Sequence, residues 1–143
     1  MMLRKDRNAM RIFLFARDGV GDHIHDAVMR AVPKTEVFCT MEELVGRLRC
    51  PSGETVIAVL IAGSISDLAG LRQMKWLLHD VRTILILPDR GVETVAAGHY
   101  LHPRFLGCLD DDGEEIVAVL CNMLCRSAPD QTAWRGMSYP KGS

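Results

Sequence analysis

Short apolar runs and helix-like stretches alternate five times along this chain of 143 residues, and few architectures accommodate that order. Four of the runs are Ile12-Phe13-Leu14-Phe15-Ala16, Val56-Ile57-Ala58-Val59-Leu60-Ile61-Ala62, Thr83-Ile84-Leu85-Ile86-Leu87 and Phe105-Leu106-Gly107-Cys108-Leu109. Their length and β-branched content mark them as strands. A fifth, Thr35-Glu36-Val37-Phe38-Cys39-Thr40, alternates in part, as a strand with a wetter face or an edge position does. Strand starts recur roughly every 20–27 residues, the spacing of βαβ units in parallel sheets.

The intervening stretches carry helix signals. Asp22 is placed to cap a helix through Ala31, closed by Pro33. Thr40-Met41-Glu42-Glu43 has capping-box spacing and leads into Leu44, Val45 and Leu48. Leu68, Leu71, Met74, Leu77 and Leu78 form the inner face of a third helix, and Glu93 to Tyr100 forms a fourth. Asp112-Gly113-Glu114-Glu115 repeats the box before a fifth helix, Ile116 to Arg126. The runs at 56–62 and 83–87 are apolar without a polar alternate, as a strand covered on both faces requires. Right-handed crossovers then predict an α/β fold: a doubly wound, five-stranded parallel sheet, order 2-1-3-4-5, with helices on both faces, flavodoxin-like.

One domain over residues 10–126 is expected, with an N-terminal extension at 1–9 and a flexible tail at 127–143 carrying Trp134 and Tyr139. The net charge of -1 supplies no basic footprint for nucleic acid. No run approaches the ~20 apolar residues that cross a bilayer, and the charged N-terminus has no signal-peptide pattern. Neither nucleic acid nor membrane is therefore an expected partner. Cys39, Cys50, Cys108, Cys121 and Cys125 are odd in number, lack a Cys-x-x-Cys pair and mostly fall in apolar surroundings. They read as reduced, buried thiols of a cytoplasmic protein.

Ligands of open α/β sheets gather at the carboxyl ends of the strands, where this sequence places Asp18, Asp22, Asp89, Asp110, Asp111 and Asp112 with Arg17 and Arg90. A divalent-cation or small-ligand site would use Asp18, Asp89, Asp110 and Asp111. Helix capping and solvated loop charge explain the same acids without a ligand. Gly19-Val20-Gly21 forms a turn and not a dinucleotide cradle, since Ile24 stands where a third glycine belongs. His23 and His25 point apart at i and i+2, and His99 and His102 lie at a helix end. Cys121 and Cys125 share a helix face but supply two ligands where structural zinc takes four. Ser64 and Ser66 lack the Gly-x-Ser-x-Gly setting of a strained nucleophile. No catalytic residue, cofactor or metal is expected, and the chain is not expected to be an enzyme.

Over residues 10–126 the pattern resembles the receiver domain of bacterial response regulators. The local match is Ala62-Gly63-Ser64-Ile65-Ser66-Asp67-Leu68-Ala69-Gly70-Leu71, with Gly70-Leu71 spaced as receivers place a glycine and an apolar residue after the third strand. The resemblance puts the phosphoacceptor position on Ala62. The first-strand acid pair falls on Arg17-Asp18, the post-β4 Ser/Thr region holds Pro88-Asp89, and the lysine after the fifth strand is replaced within Asp110-Asp111-Asp112. Aspartyl phosphorylation needs a carboxylate nucleophile, a bound divalent ion and an opposing cation. A methyl group offers none of these.

The resemblance therefore implies a degenerate receiver, or pseudo-receiver, that signals through protein partners without being phosphorylated. The last helix is apolar around most of its circumference, which suggests a homodimer through Val117, Cys121, Met123, Leu124 and Cys125. The alternative is a small-ligand or divalent-cation sensor or enzyme using the acidic sheet edge.

Overall fold

The computed structural model describes residues 10–50 and 55–126, so the expected extension and tail lie outside the described residues. The chain runs β1 Met10–Phe15, α1 Asp22–Ala31, β2 Glu36–Phe38, α2 Met41–Leu48, β3 Thr55–Ile61, α3 Ile65–Gln73, β4 Arg82–Leu87, α4 Val92–His99, β5 Phe105–Cys108 and α5 Gly113–Arg126. All five strands are parallel, in the order β2-β1-β3-β4-β5. The sequence-based expectation of a doubly wound, flavodoxin-like α/β fold is met.

Both faces of the sheet are covered, and the central strands distribute their side chains by shape. Ile57, Val59, Ile61, Ile84 and Ile86 point to the face packed by α1 and α5, with Ile24, Val28, Ile116 and Leu120. Ala58, Leu60, Ala62, Leu85 and Leu87 point to the other, with Leu44 from α2 and Leu68 and Leu71 from α3. The unbroken apolar runs thus alternate after all, β-branched Ile and Val against γ-branched Leu or small Ala, because successive strand residues face opposite ways. β2 is a short edge strand. Arg11 and Arg47 both donate to the Glu36 carboxylate, at 2.8 and 3.1 Å, and pin it.

Helix starts depart from expectation at α1. Asp22 is not its N-cap; Gly21 is, in the left-handed region at φ 66°, with no side-chain cap. A β-carbon on Gly21 would also come within 3.1 Å of Ile61 Cγ2, so both conformation and space call for glycine. Asp22 becomes the first helical residue, where its charge favours the helix dipole. At α2 the Thr40 hydroxyl accepts from the Glu43 N–H as expected, at 3.1 Å. The Glu43 carboxylate reaches back to the Cys39 N–H at 3.2 Å, one residue earlier than the standard box. The Asp112 carboxylate accepts from the Glu114 N–H at 3.2 Å and so starts α5.

The third helical stretch is not continuous. It ends at Gln73, and Lys75–Leu78 follows as a separate 3₁₀ turn. This break turns Trp76 outward to 63% exposure. The cysteine expectation is also corrected: Cys108 is buried, whereas Cys39, Cys50, Cys121 and Cys125 are exposed. Helical periodicity puts Cys121 and Cys125 on the side of α5 away from the sheet, opposite the buried Ile116, Leu120 and Met123.

Candidate functional site

The carboxyl ends of β1, β3, β4 and β5 bring the sequence-selected acids to one edge, where nearly every one has a defined local partner. Arg90 Nη1 donates to both oxygens of Asp110, at 2.8 and 2.9 Å, and its Nη2 donates to Asp111 at 2.7 Å. The second oxygen of Asp111 accepts the Cys108 N–H at 2.9 Å. Asp89 folds onto the Gly91 N–H at 2.8 Å, an Asx turn that leads into α4. The hydrogen bond from Arg90 is the main reason the Asp110 carboxyl sits below its ordinary pKa. The sign follows: a lowered carboxyl pKa favours the folded state above the unfolded value, and that contribution fades as pH falls through the folded one. Both partners are open to water, so the effect is small.

At the first-strand end, Asp18 lies beside the exposed Cys39. Desolvation, followed by the charge and hydrogen bonding of Asp18 and the charge of Glu43, holds the Cys39 thiol above its ordinary pKa. Nucleophilic reactivity follows the thiolate fraction. Asp18→Ala is therefore expected to speed iodoacetamide labelling of Cys39 at mildly alkaline pH severalfold, read by peptide mass spectrometry, while labelling of Cys125 stays unchanged. Equal Cys39 rates in the two proteins would refute this electrostatic coupling.

The central position of the site is Ala62. It follows β3, is fully buried, and its methyl packs in the cluster beneath α2 and α3. What lies above the strand end comes from elsewhere. Asp67, in the first turn of α3 and only 5% exposed, turns its carboxylate back to accept the Gly63 N–H at 3.1 Å. Its other oxygen accepts from Arg17 Nε at 2.5 Å, joining the ends of β1 and β3. The Ser64 hydroxyl accepts the Asp67 N–H at 3.2 Å and is the N-cap of α3, which accounts for this serine structurally. Val20 closes the remaining space: a β-carbon on Gly63 would come within 2.8 Å of Val20 Cγ1.

In the sequence Asp67 stands out only as part of the receiver-like segment, and Arg17 only as the cation that precedes Asp18. The signal available was a Ser-x-x-Asp spacing at a strand-to-helix junction, Ser64 to Asp67, which marks a helix start. That this carboxylate is buried and meets Arg17 depends on β1 and β3 being neighbours.

The remaining candidates stay apart. His23 bonds the Asp111 carbonyl at 3.1 Å, and His25 approaches Asp26 at 3.4 Å. No group of three or more His, Cys, Asp or Glu suited to a metal ion occurs among the described residues. No helix among the described residues is long and apolar enough to cross a membrane. On α5, Met123 is buried in the core, Val117 and Leu124 pack partly against it, and Cys121 and Cys125 face outward. Compared with protein-family models, curated proteins and solved structures, the chain matches none.

Proposed function

We propose that this domain is a receiver-like regulatory module that is not phosphorylated and acts through contacts with protein partners. The observation that carries the reading is the Arg17–Asp67 clamp over the end of β3. In a phosphorylatable receiver, acids after the first strand hold a divalent ion next to a carboxylate at the end of the third. Here a guanidinium comes from the first position and a carboxylate from α3. The cation is covalently part of the chain, so the charge balance that a metal would supply is permanent. A methyl buried at Ala62 and a valine over Gly63 leave no nucleophile and little room for a phosphoryl group.

The test is incubation with acetyl phosphate, and separately with beryllofluoride, in the presence of Mg²⁺. The expected result is no gain in mass and no change in the amide NMR spectrum. A stoichiometric phosphoryl adduct on Asp67 or Asp18 would overturn the reading. Self-association belongs to the same proposal and would use the outward side of α5, around Cys121 and Cys125. It is supported by Ala118, Cys121 and Cys125, which are exposed together on that side of the helix. Sedimentation at micromolar concentration should show a dimer that Cys121→Glu dissociates; a monomer throughout would remove the dimer from the proposal and leave partner binding in place.

A further inference from the structure

We infer that a second site, at the opposite end of the sheet, binds a small phosphorylated anion. A concavity of about 870 Å³ lies not at the carboxyl ends of the strands but where β4 begins and α4 ends. That volume is in the range of small-molecule sites. Arg72 from α3, Lys75 from the 3₁₀ turn, Arg82 opening β4 and Arg104 just before β5 all line it. Leu78 and Leu101 are buried beneath.

The charge of this cleft is unbalanced. Among the described residues lining it, Asp80 is the one carboxylate, and its side chain is 96% exposed and paired weakly with His79 at 3.8 Å. Arg72, Lys75, Arg82 and Arg104 form no ion pair among the described residues. This contrasts with the acidic edge, where Arg90 meets two carboxylates.

Two of the cations are also held in place. Arg72 lies 4.8 Å and Lys75 Nζ 4.3 Å from the ring centre of Tyr100. A cation on an aromatic face keeps its charge while losing side-chain freedom, so an anion entering here meets charges already ordered. Arg104 is fixed through its backbone, donating to the Thr83 carbonyl at 2.8 Å. The turn that delivers it contains His102 at φ 52°, a left-handed conformation costly for any residue but glycine. Like charges converging on a concave surface that offers a single, solvent-exposed carboxylate call for an anionic guest, and arginine's planar fork matches phosphate oxygens.

Four cations gathered around one open concavity suit one or two phosphate groups. A nucleic acid held by charge engages about 6–10 phosphates along an extended track. The observations therefore favour a small phosphorylated molecule. This inference is independent of the receiver-like reading, which concerns the other end of the sheet.

The probe is inorganic pyrophosphate, titrated into the full chain at low ionic strength and followed by amide NMR. Saturable shifts are expected in the segments 72–82 and 100–104. Lys75→Ala with Arg104→Ala should weaken binding by roughly tenfold or more, while Arg30→Ala on α1 should not alter it. Thermal unfolding of the ligand-free variants checks that they are folded. If the double variant fails to fold, the location of the wild-type shifts decides. The inference is overturned by no saturable shift up to about 10 mM, by shifts centred elsewhere, or by undiminished binding to a folded double variant. It is equally overturned if a single-stranded oligonucleotide binds at these residues and pyrophosphate does not.

Discussion

Arg17→Met is expected to lower the stability of the domain by about 2 kcal/mol, more than removal of any exposed charge elsewhere on the strand ends. Arg17 itself is half exposed, and an ordinary surface pair would contribute under about 1 kcal/mol. The difference is its partner. The Asp67 side chain is 6% exposed, and without Arg17 its carboxylate keeps only the Gly63 N–H and its place above β3. Breaking a buried pair from one side costs about 3–5 kcal/mol, and the exposure of Arg17 brings the expected value below that range. Asp67→Ala should cost less, about 1–2 kcal/mol, because the freed guanidinium can turn to water while only the Gly63 N–H loses its acceptor. The double variant should then be more stable than the two single losses predict, by about 1 kcal/mol. Urea unfolding of all four proteins gives this cycle directly. Additive losses would mean that the two side chains do not interact, and the clamp would no longer support the proposed function.

Phe13→Ala should have the largest effect of any substitution considered, about 3–5 kcal/mol, with a fall in melting temperature of roughly 10 °C. Phe13 is 1% exposed in the middle of β1, so its removal opens a cavity that the sheet cannot close. It also anchors the edge. Its ring meets Phe38 of β2 edge-on at 5.3 Å, and Arg47 of α2 lies 5.2 Å from its centre. β2 has only three residues in ladder register, so this contact carries much of its attachment. Hydrogen exchange should therefore accelerate at residues 36–38 before β3 or β4 in the variant. A loss below about 1.5 kcal/mol, or exchange that rises equally in every strand, would contradict this account of the edge.

Strand positions were legible because each central strand is a short run that nothing but a two-sided core can accommodate. The runs beginning at Val56 and Thr83 correspond to β3 and β4 to within a residue. Their finer message, Ile and Val on one face with Leu and Ala on the other, is equally present in the order of residues. It goes unseen when all apolar residues count alike. Helix starts were legible where a hydroxyl or carboxylate caps locally, as at Thr40 and Asp112. The start at Gly21 was not, because its cap is a backbone conformation made necessary by the proximity of Ile61. The break between α3 and the 3₁₀ turn was hidden for a related reason: Leu71, Met74 and Leu78 are all buried, as they would be on an unbroken helix.

Sites were less legible than elements. The acids chosen at the strand ends do gather there, yet their partners determine what they can do, and Arg90 lies 20 residues from Asp110. Arg17 and Asp67 are 50 residues apart. The basic cleft draws on α3, the 3₁₀ turn, β4 and the approach to β5, in a chain whose overall charge is near zero. Net charge averages away the separation of an acidic end from a basic one.

By itself, the order of residues determined that this chain makes a parallel, doubly wound sheet and that Ala62 offers no nucleophile, because periodicity and side-chain chemistry are local properties. Only the tertiary structure decided which charges are neutralised and which are left facing a cavity. Ion pairing acts across a few ångströms of space, and here the strand order sets which distant residues come that close.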